Sequence, residues 1–238
     1  PAHAKAITDA WPSLREPKNF NIHALNDHFN LSGKFDECLA KTEEIFNDYI
    51  DDGTFHSGIV HFGADEYYPD STLYRKFHKA MIDYLKGKNV TVRTWGSLSR
   101  MSSNAPDVQY NKEETAGVQM NIWNTGWANP TAMYNLGFDL INVTDGPSYM
   151  VPNGSGGRGG YGDYLNLSSI YDWAPNCIGG TWFPASSSQI LGSAYAMWGD
   201  SLLDMSASGL DEVDLFDRFF DALPVIAVRQ WGEGEKLD

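Results

Sequence analysis

Cysteine is almost missing from this chain: Cys38 and Cys177 are the only two among 238 residues. That is too few for a disulfide framework, and their separation matches no metal-binding spacing. Basic residues are scarce too, with 17 Lys and Arg against 31 Asp and Glu, a formal net charge of −14. A chain of that sign repels polyanions, which argues against a nucleic-acid partner. No apolar run approaches membrane-spanning length; Ala222 to Val228 is the longest and Pro224 interrupts it, so membrane insertion is not expected. There is no G-x-S-x-G turn and no convincing Ser/His/Asp arrangement. The glycine-rich segment from Asn153 to Gly160 lacks the GxxxxGK[ST] order of a phosphate loop and reads better as a flexible loop beside a binding site. The chain opens at Pro1 with neither a methionine nor a signal peptide, and is expected to be a processed chain or a fragment.

What the chain does have is apolar and aromatic mass. At 42% hydrophobic content it can bury a sizeable core, most simply as one domain over residues 1–238. Aromatics make up 13%, including 8 Trp and 12 Tyr. Flat rings suit ligands with apolar C–H faces, such as sugars, although they serve equally well in an ordinary core. Asn-x-Ser/Thr triplets occur at Asn30, Asn89, Asn142, Asn153 and Asn166, a pattern that also arises by chance.

Apolar periodicity predicts a helix from Phe35 to Ile50, ended by Asp51-Asp52-Gly53, and a strand from Gly58 to Gly63. Asp70 caps a second predicted helix, with Gly87 placed as its C-terminal glycine. Strands are predicted at Val90 to Trp95, Val118 to Trp123, Phe138 to Val143 and Ile190 to Trp198, with a short helix from Pro130 to Leu136. A long loop should run from Pro147 to about Tyr164, and a last helix should carry Val213, Phe216, Phe219, Phe220 and Leu223. Strands alternating with helices imply a parallel sheet in an α/β fold. Polar or aromatic residues cluster at the strand ends, as in a (β/α)8 barrel or an open doubly wound sheet, and five strands do not close an eight-stranded barrel.

The strand Ile59-Val60-His61-Phe62 runs into Gly63-Ala64 and then delivers Asp65-Glu66. Adjacent acids repel, so one should hold its proton more tightly than the other. On a strand they would point to opposite faces, so both reach one pocket only if the chain turns, which Gly63 allows. His61 reads as a core histidine, and His3 either orients a carboxylate or is exposed. His56, His61, Asp65 and Glu66 match no specific metal motif. Trp95, Trp123 and Trp198 each fall at a strand end, with Asp200 two residues beyond the last and Tyr149 in the loop after another strand. Each alone is compatible with plain packing; together they suggest an aromatic-walled sugar site.

The elements Pro1-Ala2-His3-Ala4, His61-Phe62-Gly63-Ala64-Asp65-Glu66, Trp95, Gln119 to Trp123, Tyr149 and Ala196-Met197-Trp198-Gly199-Asp200 resemble, in order, those of glycoside hydrolase family 20, the β-N-acetylhexosaminidases and lacto-N-biosidases. The Pro-Ala-His and Trp-Gly-Asp forms look most like bacterial lacto-N-biosidase-type members. The resemblance implies a retaining reaction in which the sugar's own 2-acetamido oxygen attacks C1, with no cofactor and no metal. It implies Glu66 as proton donor and then base, and Asp65 as partner of the acetamido N–H. It implies Tyr149 as hydrogen-bond donor to the acetamido oxygen and Trp95, Trp123 and Trp198 as walls. Asp200 would bind ring hydroxyls, and His3 would support Glu66. An anionic Asp65 would raise the pKa of Glu66. The substrate implied is a glycan ending in β-linked N-acetylhexosamine or in a disaccharide containing it, met outside the cell or at a bacterial surface.

The same resemblance implies that this chain carries about strands four to eight of a TIM barrel, the first strands being absent. An N-terminal part or another chain is therefore expected to complete it. Two readings of other classes stand beside this one: a sugar-binding barrel without catalysis, and a metal-dependent barrel hydrolase.

Overall fold

The computed structural model describes residues 2–17, 27–152, 161–199 and 210–232. It divides into two compact units: Pro1–Asn121 with Gly126–Asp139, and Ile122–Thr125 with Leu140–Asp238.

In the first unit, α1 (Lys5–Ala10) and α2 (Leu31–Asp51) precede β1 (Ile59–His61), α3 (Ser71–Gly87), β2 (Thr91–Trp95), α4 (Lys112–Thr115), β3 (Gln119–Ile122) and α5 (Pro130–Asn135). Helix α3 starts where Asp70 leaves helical geometry and its carboxylate accepts the Leu73 N–H at 2.8 Å. Tyr74, Phe77, Met81 and Leu85 follow at helical spacing and are buried. Each such side chain contributes roughly 1.5–3 kcal/mol by leaving water. Gly87 is the last residue of this helix, as the sequence suggests, but it is not left-handed; Asn89, two residues on, takes that conformation at φ 58°. Asparagine tolerates that region because its side chain is short and polar. Strand β1 pairs with β2 in parallel, with Val60 opposite Val92, and β2 pairs with β3 with Thr94 opposite Met120. All four of these residues are buried, as expected of strands covered on both faces.

The second unit holds β4 (Asp139–Asn142), α6 (Asp145–Ser148), β5 (Tyr149–Met150), α7 (Leu167–Tyr171), the β6–β7 hairpin (Cys177–Ile178 and Thr181–Trp182), β8 (Ile190–Ser193), β9 (Ala196–Met197) and α8 (Glu212–Trp231). Its core is Met150, Leu165, Ile170, Trp173, Ala222 and Ile226. Arg218 of α8 forms a two-pronged ion pair with Asp163 (Nε 3.0 Å, Nη2 2.7 Å). Five parallel strands are hydrogen-bonded in the order β1-β2-β3-β4-β8, and helices separate them along the chain.

Two expectations need correction here. The strand predicted from Ile190 to Trp198 is two strands: the β4–β8 register shifts between Leu140 and Ile141, Gly192 sits at φ 132°, and β9 leaves to pair with β5. Tyr149 accordingly lies in a strand and not in a loop. The last helix buries Arg218, Ala222, Ile226 and Arg229 and leaves Val213, Phe216 and Phe220 exposed. The Asn142 triplet is also unusable for glycosylation in the fold, because its amide is buried and donates to the Ala174 and Cys177 carbonyls.

Candidate active site

In the first unit the chain turns sharply where β1 ends. Gly63, Ala64 and Glu66 have φ of 72°, 67° and 52°, all in the left-handed region that non-glycine residues rarely enter. Here the alternation of a strand is broken, and adjacent carboxylates converge: ligand atoms of His3, Asp65 and Glu66 lie within 4.8 Å of one another. His3, itself at φ 53°, donates from Nε2 to Glu66 Oε2 at 2.9 Å and from Nδ1 to Asp27 at 3.2 Å. Asp27 also accepts from His28 at 2.9 Å. Asp27 and His28 are buried, and Glu66 is largely so.

The charges follow from these contacts. Hydrogen bonds to Asp27 and then Glu66 raise His3 to about 10, so it is a cation at neutral pH. Burial works against the Asp27 charge, but the His28 and His3 bonds overcome it and hold that carboxyl below the usual range. Asp65 goes the other way: burial, reinforced by the neighbouring Glu66 and opposed by His3, pushes it up to about 6. The sequence reading has an anionic Asp65 raising Glu66, whereas in the structure an upward shift falls on Asp65 itself. Among the described residues this is the one group with ligand spacing, and a metal ion there would have to displace a proton from His3. His56 and His61 are not part of it. His61 is half-buried, its Nδ1 accepting the Gly63 N–H; burial and then Arg93 lower its pKa to about 4, and its ring lies 5.3 Å from that of Trp95. Trp95 ends β2, and its N–H bonds the Gly63 carbonyl at 3.0 Å.

The second unit collects the other candidates. Trp123 follows β3, and its carbonyl accepts the Asp145 N–H at 2.7 Å. The Asp145 carboxylate accepts from Asn124 (2.9 Å) and from the Tyr161 hydroxyl (3.2 Å). The Tyr161 ring lies 5.5 Å from that of Tyr149, which lies 5.5 Å from Trp198 in an edge-on contact. Trp198 is held in turn by its N–H on the Met150 carbonyl at 3.0 Å. Trp123, Tyr149 and Trp198 are thus linked in one chain of contacts. Asp200 lies outside the described residues.

Sequence reasoning passed over Asp27, Asn124 and Tyr161. The available signals were slight: Asp27 adjoins a histidine in a loop, and Tyr161 closes the glycine-rich segment. Asp145 also lines an open cleft of about 380 Å³ with Asn124, Asp172 and Trp173, in which Trp123, Tyr149 and Trp198 take no part.

No protein-family model and no curated protein matches the chain. Solved structures do. A catalytic module of the pneumococcal exo-β-D-N-acetylglucosaminidase StrH, described as family 20, aligns with TM-score 0.67 at 17% identity, covering 94% of this chain and 58% of that one. A family 20 β-N-acetylglucosaminidase aligns at 0.65 and 16% identity over 98% of this chain and 49% of its own. A β-N-acetylhexosaminidase aligns at 0.60 and 16% identity over all of this chain and 59% of its own. The chain spans about half the length of the solved chains it matches. What these likenesses show is the fold: the α/β fold of part of a TIM barrel.

Proposed function

We propose that the chain carries the catalytic half of a retaining glycosidase that removes terminal β-linked N-acetylhexosamine with the help of the substrate's own acetamido group. The observation that carries this reading is the left-handed turn that brings Asp65 and Glu66 together beside a cationic His3. The likeness to the family 20 barrels and the order of the motifs support it.

In this mechanism the acetamido carbonyl oxygen attacks C1 while the bond from C1 to the leaving oxygen breaks, and Glu66 gives that oxygen a proton. The ring closed in this step is an oxazolinium ion. Water then attacks C1, its proton goes to the Glu66 carboxylate, and the acetamido group reopens with retained configuration. His3 holds Glu66 Oε2 at 2.9 Å and so orients the carboxyl that delivers the proton. Asp65 as an anion accepts the acetamido N–H and balances the positive charge that develops there. The N–H and the His3 cation favour ionisation, offsetting the burial that holds its pKa up. Tyr149 is assigned the acetamido oxygen; Trp95, Trp123 and Trp198 the sugar faces; Asp200 the ring hydroxyls. Binding the acetamido group beforehand makes the attack intramolecular, which can remove several kcal/mol from the activation barrier. Release of a disaccharide by the same chemistry is the second reading, favoured by the Pro-Ala-His and Trp-Gly-Asp forms.

Glu66→Gln tests the assignment. Hydrolysis of an unactivated N-acetylhexosaminide should fall by about 10²–10⁴-fold with sugar binding retained. Full activity in the variant would overturn the role of Glu66, and sugar binding by a wild type that hydrolyses nothing would identify a binding module.

A further inference from the structure

Behind the acid turn, helix α3 and strand β2 supply a buried hydrogen-bond chain that ends on its backbone. The Thr94 hydroxyl lies 2.8 Å from the Gly63 carbonyl and 3.1 Å from His78 Nε2, and His78 Nδ1 lies 2.8 Å from the Tyr110 hydroxyl. The Tyr74 hydroxyl bonds the next carbonyl, that of Ala64. Tyr74, His78 and Thr94 are fully buried and Tyr110 nearly so.

Proton counting fixes the direction of this chain. A carbonyl can only accept, so Thr94 donates its one proton to Gly63 and must accept from His78. That puts the His78 proton on Nε2 and leaves Nδ1, at 2.8 Å, to accept from Tyr110 in preference to the Arg75 carbonyl at 3.3 Å. His78 stays neutral for this, because burial and then Arg75 lower it to about 3. The two carbonyls so held belong to consecutive left-handed residues, Gly63 and Ala64, immediately before Asp65. A left-handed alanine is disfavoured because its Cβ crowds the following carbonyl, and the Ala64 carbonyl is held in that conformation by the Tyr74 hydroxyl.

We propose that Tyr74 and the Thr94–His78 pair are positioning residues: they hold the peptide planes ahead of Asp65 and thereby set the direction in which Asp65 and Glu66 point. They touch no substrate. The idea rests on the glycosidase reading for its kinetic consequence but not for its structural one, and the test separates the two.

Thr94→Val and Tyr74→Phe remove one donor each at nearly constant volume, and Thr94→Ser restores the first. In the full chain, carboxyl ¹³C NMR titration of Asp65 should move by more than about half a pH unit in Thr94→Val and Tyr74→Phe and return in Thr94→Ser. With aryl N-acetylglucosaminide, kcat should fall by about 10- to 100-fold in the two donor-less variants while KM changes little. Variants that lose thermal stability but keep the wild-type Asp65 titration and kcat would overturn the proposal, because that is what a purely structural bond predicts. A wild type without glycosidase activity would sink the functional reading and leave the titration to decide the positioning one. Should Thr94→Val not fold, Tyr74→Phe carries the same readouts.

Discussion

At the scale of single residues, Asp65 is where burial and function pull in opposite directions. Its proposed role needs the anion, yet burial raises its pKa from 3.8 to about 6. Below about pH 4 both folded and unfolded chains hold the proton, and Asp65 has no effect on stability. Between the two values the unfolded chain ionises first, so stability falls as pH rises through about 6 and the penalty is complete above it. Asp65→Asn cannot ionise. It should therefore raise stability by about 1–3 kcal/mol at pH 8 and by little at pH 4, measured by thermal unfolding at both. The same titration should give kcat/KM of the free enzyme an acid limb near pH 6, activity rising as Asp65 ionises. A limb near pH 4 would show that Asp65 ionises like an exposed carboxylate. The acid pair itself was legible because two charged residues directly after an apolar run are conspicuous. Asp27 was not, since nothing local shows that a loop acid will be carried against His3.

Among the elements, α2, α3, α5 and the first four strands of the parallel sheet follow from periodicity and caps, which are local. The division of Ile190 to Met197 into two strands is not local: it depends on which neighbour each half pairs with, β4 or β5. The exposure of Phe216 and Phe220 likewise depends on what packs against α8, and the helical pattern alone cannot choose which apolar face is covered. One connection makes a quantitative test. Gly137, after α5, sits at φ 95°, and a Cβ there would meet Thr115 Oγ1 at 3.0 Å and Lys112 Cα at 3.3 Å. Gly137→Ala should cost about 1–2 kcal/mol by denaturant unfolding, through both strain and contact; an unchanged midpoint would mean that this turn relaxes freely.

For the molecule as a whole, α8 exposes Val213 (74%), Phe216 (62%) and Trp231 (89%), with Phe220 beside them. Apolar residues gathered on one helix are a surface that association covers. We propose that the rest of a barrel, contributed by an N-terminal part or by another chain, covers it. The double variant Phe216→Ser, Phe220→Ser should reduce hydrophobic-dye binding and self-association of this chain. Unchanged dye binding would place the sticky surface elsewhere. No helix among the described residues is long and apolar enough to cross a membrane.

The central claim is that the substrate supplies its own nucleophile. It is tested by comparing, in the full-length enzyme, an aryl 2-acetamido-β-glucoside with the aryl β-glucoside that lacks the acetamido group, each with and without a thiazoline that mimics the closed ring. Hydrolysis of the first only, abolished by the thiazoline, is the expected result. Comparable cleavage of both sugars, indifferent to the thiazoline, would contradict it.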